Sequence, residues 1–169
     1  MFFSTERLLA KKITLADQNG YFQIFSASDV AEYDEFEPIS LDDAEIDIKG
    51  IVERYKLNNS TECEIGVYPK DQLELVGVLY YKIEDETIFI GYHFNGLFRG
   101  QGYAREAVQG LVSYLLNTFD FPIVAKVDSE NKRSIHLLEK LGFFQDHEYE
   151  EFQFFKGRHH VELLFFYPD

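Results

Sequence analysis

The spacing of apolar positions changes along the chain, and each change marks an element. Residues 8–14 read as a first strand. A short helix is predicted over residues 15–26, with Thr14 as N-cap and Asp17 in its first turn. A second helix is predicted over residues 41–57, where Ser40 and Asp43 supply a capping pattern. Its apolar stripe is Ala44, Ile48, Ile51, Val52 and Tyr55, and Asn58-Asn59-Ser60 is its expected end. Three strand-like runs follow, at residues 63–68, 73–83 and 87–94. Pro69-Lys70-Asp71-Gln72 and Glu84-Asp85-Glu86 join them at hairpin length, so residues 63–94 are expected to form an antiparallel meander.

At Tyr103 the period changes from two to 3.6, and Ala104, Val108, Leu111, Val112 and Leu115 fall on one helical face. Residues 121–127 form a compact apolar run. A strand, a glycine-rich turn, a helix and a strand in succession predict a right-handed β–α–β crossover with parallel strands. A helix over residues 131–141 is closed by Gly142, and two last strands, 144–155 and 159–167, meet at Lys156-Gly157-Arg158. The order β-α-α-β-β-β-α-β-α-β-β describes an α+β protein. No repeat or low-complexity linker interrupts it, so residues 1–169 are expected to form a single domain.

Composition narrows the function. Hydrophobic residues make up 46% of the chain and charged residues 27%, which is globular. The formal net charge of −14 argues against nucleic acid, whose phosphates need clustered Lys and Arg. It suits either a soluble acidic surface or a cationic partner steered by a negative field. Cys63 is the single cysteine, so no internal disulfide is possible. With acidic neighbours on both sides it is expected to be a packing residue. The N-terminus turns charged too early for an apolar signal core. No apolar run reaches the roughly 20 residues of a bilayer span. A soluble, cytoplasmic protein is expected. His159 and His160 are adjacent in a strand and point to opposite faces, so no metal site is expected there.

The chemistry concentrates in two segments. Arg99-Gly100-Gln101-Gly102-Tyr103-Ala104 opens a helix. Its glycines let a ligand approach the backbone, and the unsatisfied N–H groups of the first turn, with the macrodipole, favour a pyrophosphate. A tight turn with no ligand is the alternative. A P-loop would need Lys and then Ser or Thr after the last glycine, and here Tyr103-Ala104 follow. A dinucleotide fingerprint would need glycine at the position of Arg105. In the second segment, Asn131 and Ser134 share one face at the start of a helix that ends in Glu139-Lys140-Leu141-Gly142-Phe143. Asn131 is either a simple N-cap or a ligand-binding amide.

Together the two segments resemble the GNAT superfamily of N-acetyltransferases. The family's acetyl-CoA loop, Gln/Arg-x-x-Gly-x-Gly/Ala, is matched by Arg99, Gly102 and Ala104. Its second motif is matched by Asn131, Ser134 and residues 139–143. Within the superfamily the chain looks most like the branch that acetylates N-terminal alanines of ribosomal proteins. The resemblance implies a three-layer α/β fold, with a mixed, mostly antiparallel central sheet of about seven strands flanked by about four helices. It implies transfer of an acetyl group from acetyl-CoA, as co-substrate, to a primary amine by direct attack, without a metal. The acceptor would be a protein N-terminus, a polyamine, an aminoglycoside or another small cationic amine.

The resemblance also assigns roles. Residues Arg99, Gly100, Gln101, Gly102, Tyr103 and Ala104 would hold the pyrophosphate. Tyr92, His93 and Phe94 would pair with the pantetheine arm, which would enter a splay between that strand and residues 121–127. Asn131 would hydrogen-bond the pantetheine or a nearby water. Ser134 would sit near the thioester sulfur and protonate the leaving thiolate, with Tyr149 in reserve. The attacking amine must lose a proton, and His93, an imidazole with an ordinary pKa of roughly 6.5, is a candidate base. Glu37, or another carboxylate in the acidic stretch 29–47, is a candidate for orienting the amine. That stretch holds nine acidic residues and no basic one, which suits a cationic acceptor or a solvated face equally. The competing expectations are a catalytically silent module of the same fold that binds acetyl-CoA or a metabolite, and a plain interaction domain. A homodimer is possible through the aromatics of the last two strands.

Overall fold

The meander expected between residues 63 and 94 forms the middle of the sheet. The computed structural model describes residues 1–57 and 61–168, so the expected helix end at Asn58-Asn59-Ser60 lies outside the described residues. Among the described residues there are eight strands: β1 Phe3–Ser4, β2 Leu8–Lys11, β3 Glu62–Pro69, β4 Gly77–Glu84, β5 Thr87–Phe94, β6 Ile123–Asp128, β7 Phe144–Phe155 and β8 Arg158–Phe166. They make one open sheet in the order β1-β2-β3-β4-β5-β6-β8-β7. The β5–β6 pair is parallel and the other pairs are antiparallel. The described residues also form five α-helices: α1 Gln18–Phe25, α2 Ser28–Ala31, α3 Leu41–Lys56, α4 Tyr103–Thr118 and α5 Lys132–Lys140.

The layers follow from the period-two alternation of the strands. Val67, Leu79, Tyr81, Ile90 and Ala125 point to one face and pack with Val108, Leu111 and Leu115 of α4 and Leu138 of α5. Tyr68 and Val78 point to the other and pack with Tyr21 and Ile24 of α1 and with Ala44, Ile48 and Ile51 of α3. Burying one Leu or Ile is worth about 1.5–3 kcal/mol. Val108, Leu111, Val112 and Leu115, four of its six buried residues, therefore hold α4 far more firmly than any cap.

Several boundaries differ from the sequence pattern, each for a local reason. The sheet has eight strands and not seven because β1 is a two-residue strand on β2, too short to show a period. The fifth helix, α2, is a single turn of four residues. The first strand leaves the ladder after Lys11, and the Ile13 amide donates to the Tyr55 hydroxyl at 3.1 Å. The helix expected from residue 15 opens as a 3-10 turn, Leu15–Asp17, before α1 begins. The run expected from residue 73 starts at Gly77, because Leu73 closes a turn on Pro69 with φ of 55°.

Candidate active site

The site forms where two parallel strands part. β5 and β6 are paired only at Ile88, Phe89 and Ile90 with Ile123, Val124 and Ala125. Beyond that, residues 91–94 pair with β4 alone and residues 126–128 with β8 alone. The gap is a cleft of about 110 Å³ lined by Tyr92, His93, Asp128, Asn131, Ser134 and Glu162, among others. Unpaired strand edges offer N–H and C=O groups that an amide-bearing ligand can take up.

The glycine loop follows the end of β5. A 3-10 turn, Gly96–Phe98, leads into it, anchored by buried Asn95, whose side chain accepts from the Leu97 amide at 3.0 Å and donates to Gln23 at 3.0 Å. Gly100 and Gly102 both have φ of 77°, a left-handed conformation that suits glycine, and open space surrounds the position of a Cβ on Gly100. Gly102 is the N-cap of α4 and supplies no side-chain cap. The first intrahelical acceptor, the Gly102 carbonyl, takes the Glu106 amide at 3.1 Å. The amides of residues 103–105 thus precede the helical ladder and fit a pyrophosphate.

Arg99 is exposed, and its guanidinium pairs with the Asp29 carboxylate of α2. Arg133 of α5 approaches the same carboxylate at 4.0 Å. Partial burial and the Arg133 charge lower the Arg99 pKa from its ordinary value. Arg7 was not picked out by sequence. It reaches the loop from the segment between β1 and β2 and donates to the Gln101 carbonyl at 2.8 Å.

The cleft has two sides, and β5 supplies both. Tyr92 points toward α5, where its hydroxyl lies 2.7 Å from Ser134 Oγ. Burial pushes the Tyr92 pKa up to about 12 against a smaller lowering by the Ser134 hydrogen bond, so the phenol stays protonated through the neutral range. Asn131 is the N-cap of α5, its side-chain oxygen accepting from the Ser134 amide at 3.1 Å. That cap uses the carbonyl end, and the side-chain NH2 is the end that can donate to a ligand. The Phe94 ring lies over Gly77, where a Cβ would come within 2.4 Å of it.

His93 points to the opposite face. It sits against Phe25 and Phe36, at ring distances of 5.2 and 5.5 Å, and Nε2 lies 3.0 Å from Asp34 Oδ2. Of the acidic stretch, Asp34 is thus the carboxylate that faces His93, whereas Glu37 lies exposed further along the loop. Lys156 in the β7–β8 turn holds this loop, donating to the carbonyls of Ala31 and of Phe36, the latter at 2.7 Å. Asp128 and Glu162, paired across β6 and β8, carry carboxylates on the same side. Asp128 is buried, with Nδ1 of buried His160 at 2.5 Å. His159 is exposed and packs on Phe154, on the other face. Tyr149 bonds Glu151 at 2.6 Å, away from Ser134.

Of the residues singled out from the sequence, Tyr92, His93, Asn131 and Ser134 line the cleft, and residues 99–104 form the loop that follows β5. Sequence reasoning missed Asp34 as the partner of His93, although the acidic run contained it. It missed Arg7, Asp29 and Glu106 as well, because contacts between residues 70 to 100 apart leave no local pattern.

Residues 7–144 match the family model of the acetyltransferase (GNAT) domain. An uncharacterised N-acetyltransferase of Bacillus licheniformis is 28% identical over 163 residues, covering 91% of this chain and 88% of that one. Among solved structures, a GNAT-family acetyltransferase from Bacillus anthracis superposes with a TM-score of 0.82 at 24% identity, covering 98% of this chain and 96% of that chain. A ribosomal-protein-S5-alanine acetyltransferase from Vibrio fischeri gives 0.76 at 18% identity, with 99% and 97% covered. With the domain match spanning most of the chain, and a glycine loop and splayed strands in place, this protein belongs to the GNAT family and is an acetyl-CoA-dependent N-acetyltransferase.

Proposed function

We propose that the chain acetylates a primary amine carried by a cationic acceptor, such as a polyamine, an aminoglycoside or a basic protein N-terminus. The observation that carries this reading is the asymmetry of the cleft. Its α5 side presents the neutral hydroxyls of Tyr92 and Ser134, and its other side presents Asp34, Asp128 and Glu162 against Lys126. A thioester suits the first side, and an ammonium group the second.

In this reading acetyl-CoA lies with its pyrophosphate on residues 99–104 and its pantetheine along residues 92–94. The NH2 of Asn131 donates to that arm. The acceptor amine gives up a proton to His93, oriented by Asp34, and its nitrogen attacks the thioester carbonyl. The C–N bond forms as the C–S bond breaks, the Ser134–Tyr92 pair supplies a proton to the leaving thiolate, and the second proton shed by the acylated nitrogen passes to solvent, from which the pair is reprotonated. Holding amine and thioester together supplies much of the acceleration. Exposed Phe152 and Phe154 on the edge strand β7 support a homodimer, which sedimentation velocity would detect.

The test is thiol release from acetyl-CoA with a panel of amines at low and high salt. Cationic acceptors should be preferred, with kcat/KM falling steeply as salt rises. Equal rates for neutral and cationic amines, with a flat salt response, would refute the acceptor class. His93→Ala should remove the limb of the pH–rate profile that reports the base. An unchanged profile removes His93 from the mechanism.

A further inference from the structure

The cofactor loop carries an anion of its own. Glu106 lies in the first turn of α4, the turn whose amides face the loop. A carboxylate stabilises a helix start, but it also repels a pyrophosphate arriving at the same terminus. Donors from the segment between β1 and β2 converge on it. The Thr5 hydroxyl reaches Oε1 at 2.5 Å and the Arg7 amide reaches Oε1 at 2.8 Å. Arg7 Nε reaches Oε2 at 2.7 Å, and Arg7 Nη2 lies 2.6 Å from that oxygen. Burial alone would raise the Glu106 pKa, but these bonds outweigh it and hold the carboxyl below its ordinary range.

The same guanidinium shapes the loop. Nη1 donates to the Gln101 carbonyl at 2.8 Å, the group lies 5.0 Å above the Tyr103 ring, and Nη2 stands 3.4 Å from the position of a Cβ on Gly102. A trans peptide points its C=O and N–H in opposite directions. Anchoring the Gln101 carbonyl to Arg7 therefore aims the Gly102 N–H away from Arg7. It also fixes a peptide between two glycines that would otherwise be free to turn.

We propose that Arg7 and Glu106 act as a positioning pair for acetyl-CoA, in which Arg7 fixes the curvature of the loop through Gln101 and cancels the Glu106 charge. The cofactor's pyrophosphate then meets a preformed cradle without a bare carboxylate beside it. The inference rests on residues 99–104 being the pyrophosphate site.

The two partners have opposite expected effects. Arg7→Ala unpairs the carboxylate and frees the loop, so the acetyl-CoA Kd should rise about tenfold or more by calorimetric titration. At saturating acetyl-CoA, kcat should stay within a factor of about two, because the pair does not touch the reacting atoms. Glu106→Gln leaves the Arg7 charge uncompensated beside the phosphates and keeps an acceptor for Thr5, so it should bind acetyl-CoA as tightly as the wild type or more tightly. The double variant should recover part of the Arg7→Ala loss. A merely structural prop would weaken binding in both single variants, and that outcome overturns the proposal, as does wild-type binding by Arg7→Ala. Should Arg7→Ala fail to fold, Arg7→Lys, which keeps charge but loses the fork, is expected at an intermediate Kd. Gly102→Glu separates the two readings. If it binds acetyl-CoA normally, the loop is not the site; if it loses binding while Arg7→Ala keeps it, only the positioning pair is wrong.

Discussion

Ser134→Ala and Tyr92→Phe set the size of a fold effect against the size of a chemical one. The two hydroxyls are 2.7 Å apart, and the Tyr92 hydroxyl is otherwise within only weak reach, 3.5 Å, of the Ser134 carbonyl. Removing one partner of a neutral, partly buried hydrogen bond costs about 1 kcal/mol. For a domain of this length that lowers Tm by about 2–4 °C. Removing both hydroxyls leaves nothing unpaired, so the double variant should be nearly as stable as the wild type. If the pair protonates the thiolate, the loss in kcat is of another order, about 100-fold, or about 2.7 kcal/mol of barrier. Because the hydroxyls act as one relay, the double variant should be no slower than the slower single variant. The assay is thiol release at saturating acetyl-CoA and amine, beside thermal unfolding of each variant. Multiplying losses would show two independent roles. Full kcat in both single variants, with only the Tm shift, would show that the pair holds β5 to α5 and takes no part in the reaction.

Three further outcomes follow from contacts around the site. Asp29→Asn releases Arg99 and Arg133 for the cofactor's phosphates, so the acetyl-CoA Kd should fall several-fold and its salt dependence steepen; calorimetry at two ionic strengths reads both. Lys156→Met frees the loop around Ala31 and Phe36, and should raise KM for the acceptor while leaving KM for acetyl-CoA unchanged in steady-state kinetics. Cys63 is buried, and burial, with Glu64 adding to it, pushes its pKa to about 12, so iodoacetamide should leave the folded protein unlabelled at pH 8 and modify it in denaturant. The sign is that of a thiol kept neutral by folding: its stabilising contribution is complete below the ordinary pKa near 9 and is lost as pH climbs toward 12.

How much of this was legible depends on the range over which each feature is encoded. The α4 stripe and the meander repeat within a few residues, and their period alone revealed them. The loop and the Asn131–Ser134 pair are short motifs whose chemistry is local. Leu73 looked like strand because it is apolar, yet its positive φ serves a turn that only the β3–β4 register requires. Asp34 was one acidic residue among nine, and nothing in the run itself singled it out. Its contact with His93 comes from β5, which brings that ring to within 3.0 Å of it, 59 positions along the chain. Arg7 sits in a charged N-terminal segment that gave no sign of a partner, and only closure of β2 onto β3 and of α4 over β1 and β2 brings it to Gln101.

The division of labour in the cleft is a consequence of the pleat. Successive residues of a strand face opposite sides of the sheet, so Tyr92 and His93, neighbours in sequence, serve different compartments. Across β4, Tyr92 is paired with Leu79 of one core and His93 with Val78 of the other, which fixes the two directions. A register slip of one residue would exchange them, setting an imidazole against Ser134 and a phenol against Asp34. The slip is resisted by the whole β4–β5 ladder, from Glu84–Thr87 to Gly77–Phe94, and by Gly77, the position that leaves room for the Phe94 ring. The most regular part of the fold therefore sets which side chains face each side of the cleft, while the irregular part, the parting of β5 and β6 after Ile90, opens the space between them.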